Sequence, residues 1–245
     1  MRTFLILMSE AGAELLKSLR APEFIIPTLA MPVAFYTLFA VILPNGGGTA
    51  AARILATFGV FAVMGPAIFG FGAGVASERE QGWLQVKRAS PAPATTYVAA
   101  KLIATLFFSL LALTLMYLVA RYFGGVRLDR VTWATLMGVH LAAAAPFVFI
   151  GLTFGFLFRA NAAVALSNIV FLVLSALGGL WIPIAVFPSM MQGFASYLPS
   201  YHLAEIALSV VNGPAPVIPR DHLVISAIMT VILAGVSLIA WVRQR

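Results

Sequence analysis

Residues 76–101 read ASEREQGWLQVKRASPAPATTYVAAK, an extended polar stretch set between long apolar runs. The segments on both sides are long and apolar enough to cross a bilayer. Glu78, Arg79, Glu80, Lys87, Arg88 and Lys101 are therefore expected together in water on one side of it. The first half has the spacing of a short amphipathic helix: Trp83, Leu84 and Val86 share a face, and Arg79, Glu80, Lys87 and Arg88 cover the rest. The SPAP run beginning at Ser90 ends that helix, because proline donates no helical hydrogen bond and disfavours helix in the residue before it. Such a stretch is either a solvated connection between spans or a docking surface.

Working outward, 62% of the 245 residues are hydrophobic and only 9% are charged. Soluble domains carry about 25% charged residues, so this composition belongs to an integral membrane protein. Lipid offers the backbone no hydrogen-bond partner, which leaves helices or a closed barrel, and the apolar runs are continuous rather than alternating. The fold class is all-α. The net charge of +7 comes from basic residues scattered at the ends of apolar runs, with no dense patch for nucleic acid. Cysteine is absent, which excludes disulfides, thiolate nucleophiles and cysteine metal sites.

Residues 1–20 place Phe4, Leu7, Met8, Ala11, Leu15 and Leu19 at helical spacing, opposite Arg2, Ser9, Glu10, Glu14, Lys17 and Ser18. This predicts a helix lying in the membrane interface and retained in the mature protein. Six spans follow, over residues 24–43, 54–76, 98–120, 131–158, 162–182 and 223–242. The second carries Gly59, Gly65, Gly70, Gly72 and Gly74, small residues suited to close helix packing. No charge occurs between Arg159 and Glu205, a length beyond the roughly 20 residues of one crossing and short of two with a turn. Pro183, Pro188, Gly193 and Pro199 break its second half, so residues 183–205 read as a re-entrant pair of short helices.

Six spans put both termini on one side. Of the 15 Lys and Arg, ten fall on that side (Arg2, Lys17, Arg20, Arg79, Lys87, Arg88, Lys101, Arg159, Arg243, Arg245) and five on the other (Arg53, Arg121, Arg127, Arg130, Arg220). The positive-inside bias then makes the termini and the 77–97 loop cytoplasmic, and the broken pair outward-facing.

The chain has no GxxxxGK[ST] phosphate-cradling loop, so any ATP must be hydrolysed by a partner. His140, His202 and His222 lie far apart without metal-ligand spacing, and no catalytic or metal site is expected. The spans are nearly free of ionisable groups, which argues against proton or sodium coupling; His140 reads as a hydrogen-bonded structural histidine. His202 and Glu205, in SYHLAEIAL, either line an outer gate or anchor an interfacial helix. Phe107, Phe108, Phe147, Phe149, Phe154, Phe156 and Phe158 either line an apolar path or face lipid and other helices.

Taken together, the amphipathic N-terminal helix, the six spans, SEREQGWLQVKRASP and the broken segment ending YLPSYHLAEIAL resemble the ABC-2 type permeases, the membrane subunits of ATP-binding-cassette exporters. Glu78-Arg79-Glu80-Gln81-Gly82-Trp83-Leu84 is the most specific part, similar to the E-R-E-x-G-x-L pattern of the multidrug and antibiotic branch. The resemblance implies coupling to an ATPase subunit through Glu78, Arg79, Glu80, Gly82, Trp83 and Leu84, and an outer gate at Pro199, His202 and Glu205. It further implies two ATPase copies that bind ATP and Mg, with no cofactor in this chain. The permease half is a homodimer or is paired with a second permease, in a bacterial-type inner membrane. The expected cargo is a hydrophobic drug-, antibiotic- or lipid-like compound. A glycan or lipid-linked polymer exporter, or a structural membrane protein that transports nothing, is the alternative.

Overall fold

The computed structural model describes residues 2–43, 47–89, 94–213 and 215–243. Helices are its only regular elements among those residues. Helix α1 (Arg2–Leu19) lies ahead of α2 (Pro22–Thr37), which widens into a π-helical turn at Leu38–Ile42. Helix α3 (Gly48–Glu80) leads through a two-residue turn into α4 (Trp83–Ala89), and α5 (Ala94–Tyr122) runs back. Then come α6 (Arg130–Ala142), α7 (Ala144–Leu157) and α8 (Ala160–Leu177). A 3-10 turn at Ile184–Val186 and the short helices α9 (Ser189–Ala195) and α10 (Pro199–Val211) precede α11 (Arg220–Val242).

Six helices are long and apolar enough to span a membrane: Phe24–Ile42, Gly48–Glu80, Thr95–Tyr122, Arg130–Leu157, Ala160–Leu177 and Arg220–Val242. The proline-broken connection at 90–93 lies outside the described residues. The second apolar run is more than a bare crossing: its helix continues from Gly48 to Glu80, so the charged motif sits on its last turn. The fourth is bent at Ala143, because Pro146 removes one hydrogen bond from the ladder. Asp129 starts that span, its carboxylate accepting the backbone N–H of Val131 at 2.8 Å and of Thr132 at 3.0 Å. The fifth helix ends at Leu177, five residues before the 182 expected, where Gly178 caps it and Gly179 takes φ +76°.

Helix α3 is the axis of the bundle, with 72% of its most apolar window buried against 17% for α11, which shows most of its surface to lipid. Lipid tails are as apolar as leucine, so close backbone approach and dispersion have to hold the helices together. The glycines show where that happens. A Cβ on Gly59 would land 2.0 Å from Cε1 of the His140 ring, and one on Gly72 would land 2.7 Å from Ser167 Oγ. Gly65, Gly70 and Gly74, grouped with them on sequence grounds, have ordinary clearance. The closest helix-to-helix seam is one the periodicity of the second span does not reveal. Gly151 and Gly155 of α7, four residues apart, lie against the backbone of α3, where added Cβ atoms would sit 2.8 Å from Ile68 O and 2.6 Å from Phe71 O.

His140 fills the notch at Gly59 with both ring nitrogens bonded: Tyr117 Oη at 2.9 Å from Nδ1, and Ala56 O at 2.9 Å from Nε2. A carbonyl only accepts, so Nε2 carries the proton and the tyrosine hydroxyl donates to Nδ1. His140 therefore ties α3, α5 and α6 as a structural residue.

Gly59→Ala is expected to destabilise the solubilised protein by about 1–3 kcal/mol, because a methyl group and an imidazole compete for one space. Gly138→Ala, where nothing lies within 4 Å of the new Cβ, is expected to be neutral or stabilising. Thermal unfolding of the two variants in the same detergent checks the contrast.

Candidate functional site

Helix α1 turns Ala11 and Glu14 toward the bundle. Phe4 and Leu5 are each 63% exposed, and Met8, Leu16 and Leu19 are exposed beside them, whereas Ala11 and Glu14 are buried. The side carrying Ala11 and Glu14 packs on α5, and Phe4, Leu5, Met8, Leu16 and Leu19 are free to lie in the lipid interface.

What Glu14 meets there is a cluster of four charges. Lys101 Nζ of α5 donates to Glu78 Oε1 at 2.8 Å and to Glu14 Oε2 at 3.2 Å. Lys17 Nζ donates to Glu14 at 3.1 Å and to Glu78, and the Tyr97 hydroxyl donates to the second oxygen of Glu78. The Lys101, Glu14 and Glu78 side chains are 5%, 9% and 11% exposed, but that of Lys17 is 54% exposed. The expectation that Glu78 and Lys101 stand in water is thus corrected. Each has enough partners of opposite charge to remain ionised away from water, which an isolated charge could not do. Burial opposes the charge on Lys17, but Glu78 and Glu14 outweigh it and hold its pKa above the ordinary lysine value.

The next two residues are fastened as well. Arg79 donates from both guanidinium nitrogens to the carbonyls of Phe156 and Phe158 at the end of α7. Glu80 Oε1 accepts the N–H of Ala160 at 3.0 Å, placing a carboxylate on the first turn of α8, where the helix dipole favours it. Successive helical side chains point about 100° apart, so three consecutive residues reach three different neighbours. Glu78 takes α1 and α5, Arg79 takes α7, and Glu80 takes α8.

Gly82, at φ +77°, makes the turn that sends α4 off from α3. Leu84 is buried in the core and anchors α4, while Trp83 and Val86 are 53% and 62% exposed. Of the motif residues, then, Glu78, Arg79, Glu80 and Leu84 have their side chains committed within the chain, and Trp83 is presented outward. On sequence grounds Lys101 groups with Glu78 only as a charge in water, and Glu14 and Lys17 only as part of the polar side of the first helix; their pairing is not foreseen there. A basic residue at the head of an apolar run, facing two acidic groups one and two spans away, is the only trace they leave.

At the far end of the bundle, Pro199 opens α10 as its first residue. The buried His202 bridges two elements: Nε2 lies 2.8 Å from Ser196 O, and Nδ1 lies 2.9 Å from Nδ1 of His222 at the start of α11. The carbonyl requires the proton on Nε2, so neutral His202 accepts at Nδ1 and His222 donates. Glu205 is half-buried one turn further along, and the Tyr201 ring stacks edge-on against both imidazoles. Ser200 Oγ donates to Leu174 O at 2.8 Å, pinning α10 to the end of α8. Among the described residues no group of three or more His, Asp or Glu is placed to hold a metal ion.

Two measurements follow from these geometries. Lys101→Met leaves two buried carboxylates sharing the one remaining cation, the 54% exposed Lys17, and is expected to cost about 3 kcal/mol, the low end for a broken buried pair. Adding Glu14→Gln and Glu78→Gln restores most of that, as read by thermal unfolding of the single and triple variants. Burial lowers the His202 pKa below the ordinary histidine value of about 6.5, so the folded state favours neutral imidazole. Its contribution is full above pH 6.5 and is lost as pH falls below that value, with His222, Glu205 and Tyr201 as the facing groups. Part of the acid-side loss of Tm should vanish in His202→Gln.

The family model described as ABC-2 type transporter matches residues 9–211. A protein of Bacillus subtilis (strain 168) named "Putative transport permease YvfS" is 32% identical over 214 residues, covering 86% of this chain and 87% of the relative.

Proposed function

Since the chain belongs to the ABC-2 type transporter family, and is thus the membrane permease subunit of a transporter whose family works with an ATP-binding-cassette ATPase, we propose that it is one half of an ATP-driven exporter. In this reading α4 is the helix that docks on the ATPase. Trp83 and Val86 offer it an apolar contact, and the Glu78-Arg79-Glu80 turn passes the resulting displacement to α1, α5, α7 and α8. That fan of contacts is the observation that carries the proposal. A rigid connector between a docking helix and four others lets ATP binding bias two arrangements of the spans.

The remaining parts of the reading follow from the same frame. ATP and Mg are held by two ATPase copies, and two permease subunits pair in a bacterial-type inner membrane with their termini in the cytoplasm. The outward end then carries Pro199, His202 and Glu205, where the link between α10 and α11 serves as an outer closure. The cargo is a hydrophobic drug-, antibiotic- or lipid-like compound, consistent with aromatic groups such as Phe35, Phe61, Phe171 and Trp181 packed between α2, α3, α8 and the turn after α8.

Trp83→Ala with Val86→Ser is expected to abolish recovery of the ATPase subunit in a pull-down from gently solubilised membranes, while thermal stability stays near that of the parent. Gly82→Ala, strained at its positive φ, should lose export as well. Full ATPase recovery and export by the Trp83/Val86 variant would remove α4 from the docking role.

A further inference from the structure

Beside the charge cluster, a cavity of about 660 Å³ opens between α1, α2, α3, α5 and α8. That is the size of small-molecule sites, which run at roughly 300–1,000 Å³. Its walls are of two kinds. Phe24, Phe69, Phe108 and Ala73 make an apolar body, and Lys17, Glu14 and Lys101 form a charged end.

The cluster is neutral in sum, two lysines against two glutamates, but the two signs are not equally accessible. The carboxylates of Glu14 and Glu78 are 9% and 11% exposed and accept two or three donors each; Lys17 is 54% exposed. A molecule in the cavity therefore meets a cation at that end, and an apolar wall with low dielectric focuses its field. A cationic ligand would find, among the described lining residues, only the Glu14 carboxylate, which is 9% exposed and already bonded to both lysines. A neutral apolar ligand would gain nothing from the charged end.

We propose that this cavity binds an amphipathic molecule with an anionic head group, the head against the Lys17 ammonium and the apolar body along Phe24, Phe69 and Phe108. Helix α1, whose outward side carries exposed apolar residues, forms one wall of the cavity, which sets it at the level of the membrane interface where amphipathic molecules reside. The inference deepens the transport reading by naming the compound class. Its test uses the permease without any ATPase, so a failed pull-down and a failed binding experiment are separate results.

The experiment is fluorescence titration of the full chain, in nanodiscs of phosphatidylcholine, with dansylaminoundecanoic acid and with the neutral dansylaminoundecanol. The acid is expected to bind about tenfold more tightly than the alcohol, as a hydrogen bond to a charged group would give. Lys17→Gln should bring the acid to the alcohol's affinity, Lys17→Arg should keep the preference, and Ala73→Phe should remove binding of both probes. Lys17 is the outermost member of the cluster, and the arginine variant guards against a folding defect. Equal affinities for acid and alcohol in the parent, or an acid affinity unchanged by Lys17→Gln and Ala73→Phe, would overturn the proposal. Competition with short-chain phosphatidylglycerol separates the sources of the head group. Displacement assigns the seat to a membrane phospholipid, and lack of displacement assigns it to a single-chain amphiphile, either of which upholds the site.

Discussion

A lysine ammonium that is 5% exposed near the head of a membrane span persists only if something replaces water around it, and for Lys101 two carboxylates do so. One of them belongs to the interfacial helix and the other to the central span. The pairing thus fixes where α1 lies, which way it is turned and how α5 meets α3. Buried ion pairs add little net stability compared with apolar packing, but they are intolerant of misplacement, because a half-made cluster strands a charge. In a bundle whose surfaces are almost uniformly apolar, that intolerance supplies the register that oil-like packing leaves loose.

The rest of the bundle is held by contact rather than charge. Where α7 meets α3, Gly151 and Gly155 let the two backbones approach within the reach of a single missing methyl group. Dispersion falls steeply with distance, so such seams concentrate packing energy that lipid would otherwise match. His140 does the same in reverse, its ring occupying the place of a side chain that Gly59 lacks. With Tyr117 and Ala56 satisfying both nitrogens, the ring is held in one orientation and ties three helices together.

The helical class, the membrane setting and the six apolar spans were legible because each span declares itself by a local run of residues. So was the short helix that follows residues 78–80, through the amphipathic spacing of Trp83, Leu84 and Val86. The use made of those charges was not legible. Glu78 pairs with residues 61 and 23 positions away in sequence, and nothing local distinguishes a charge destined for water from one destined for a partner in another helix. Amphipathicity of the first helix was readable, yet its polarity relative to the bundle was ambiguous, since a membrane interface reverses the usual rule that the apolar face goes in. The glycines divide in the same way. Their presence was visible, but whether each meets a ring, a backbone or empty space is decided by the neighbouring helix.

The fan of contacts at Glu78, Arg79 and Glu80 also constrains how a partner can act on this chain. A motif of three charged residues invites the picture of salt bridges across an interface, but here two carboxylates and a guanidinium are already bonded to four helices of their own chain. Recruiting Glu78 to a partner would first break its bonds and leave an unpaired carboxylate buried, a cost of several kcal/mol. Among the described side chains of α4, Trp83, Gln85 and Val86 face outward, and the two large ones are apolar. On the proposed reading, the partner grips α4 by shape and apolar contact, and the charges behind it act as the linkage. Force applied at Trp83 travels through Gly82 into the last turn of α3, and from there into four helices at once, because the three side chains that could have given way are held at both ends.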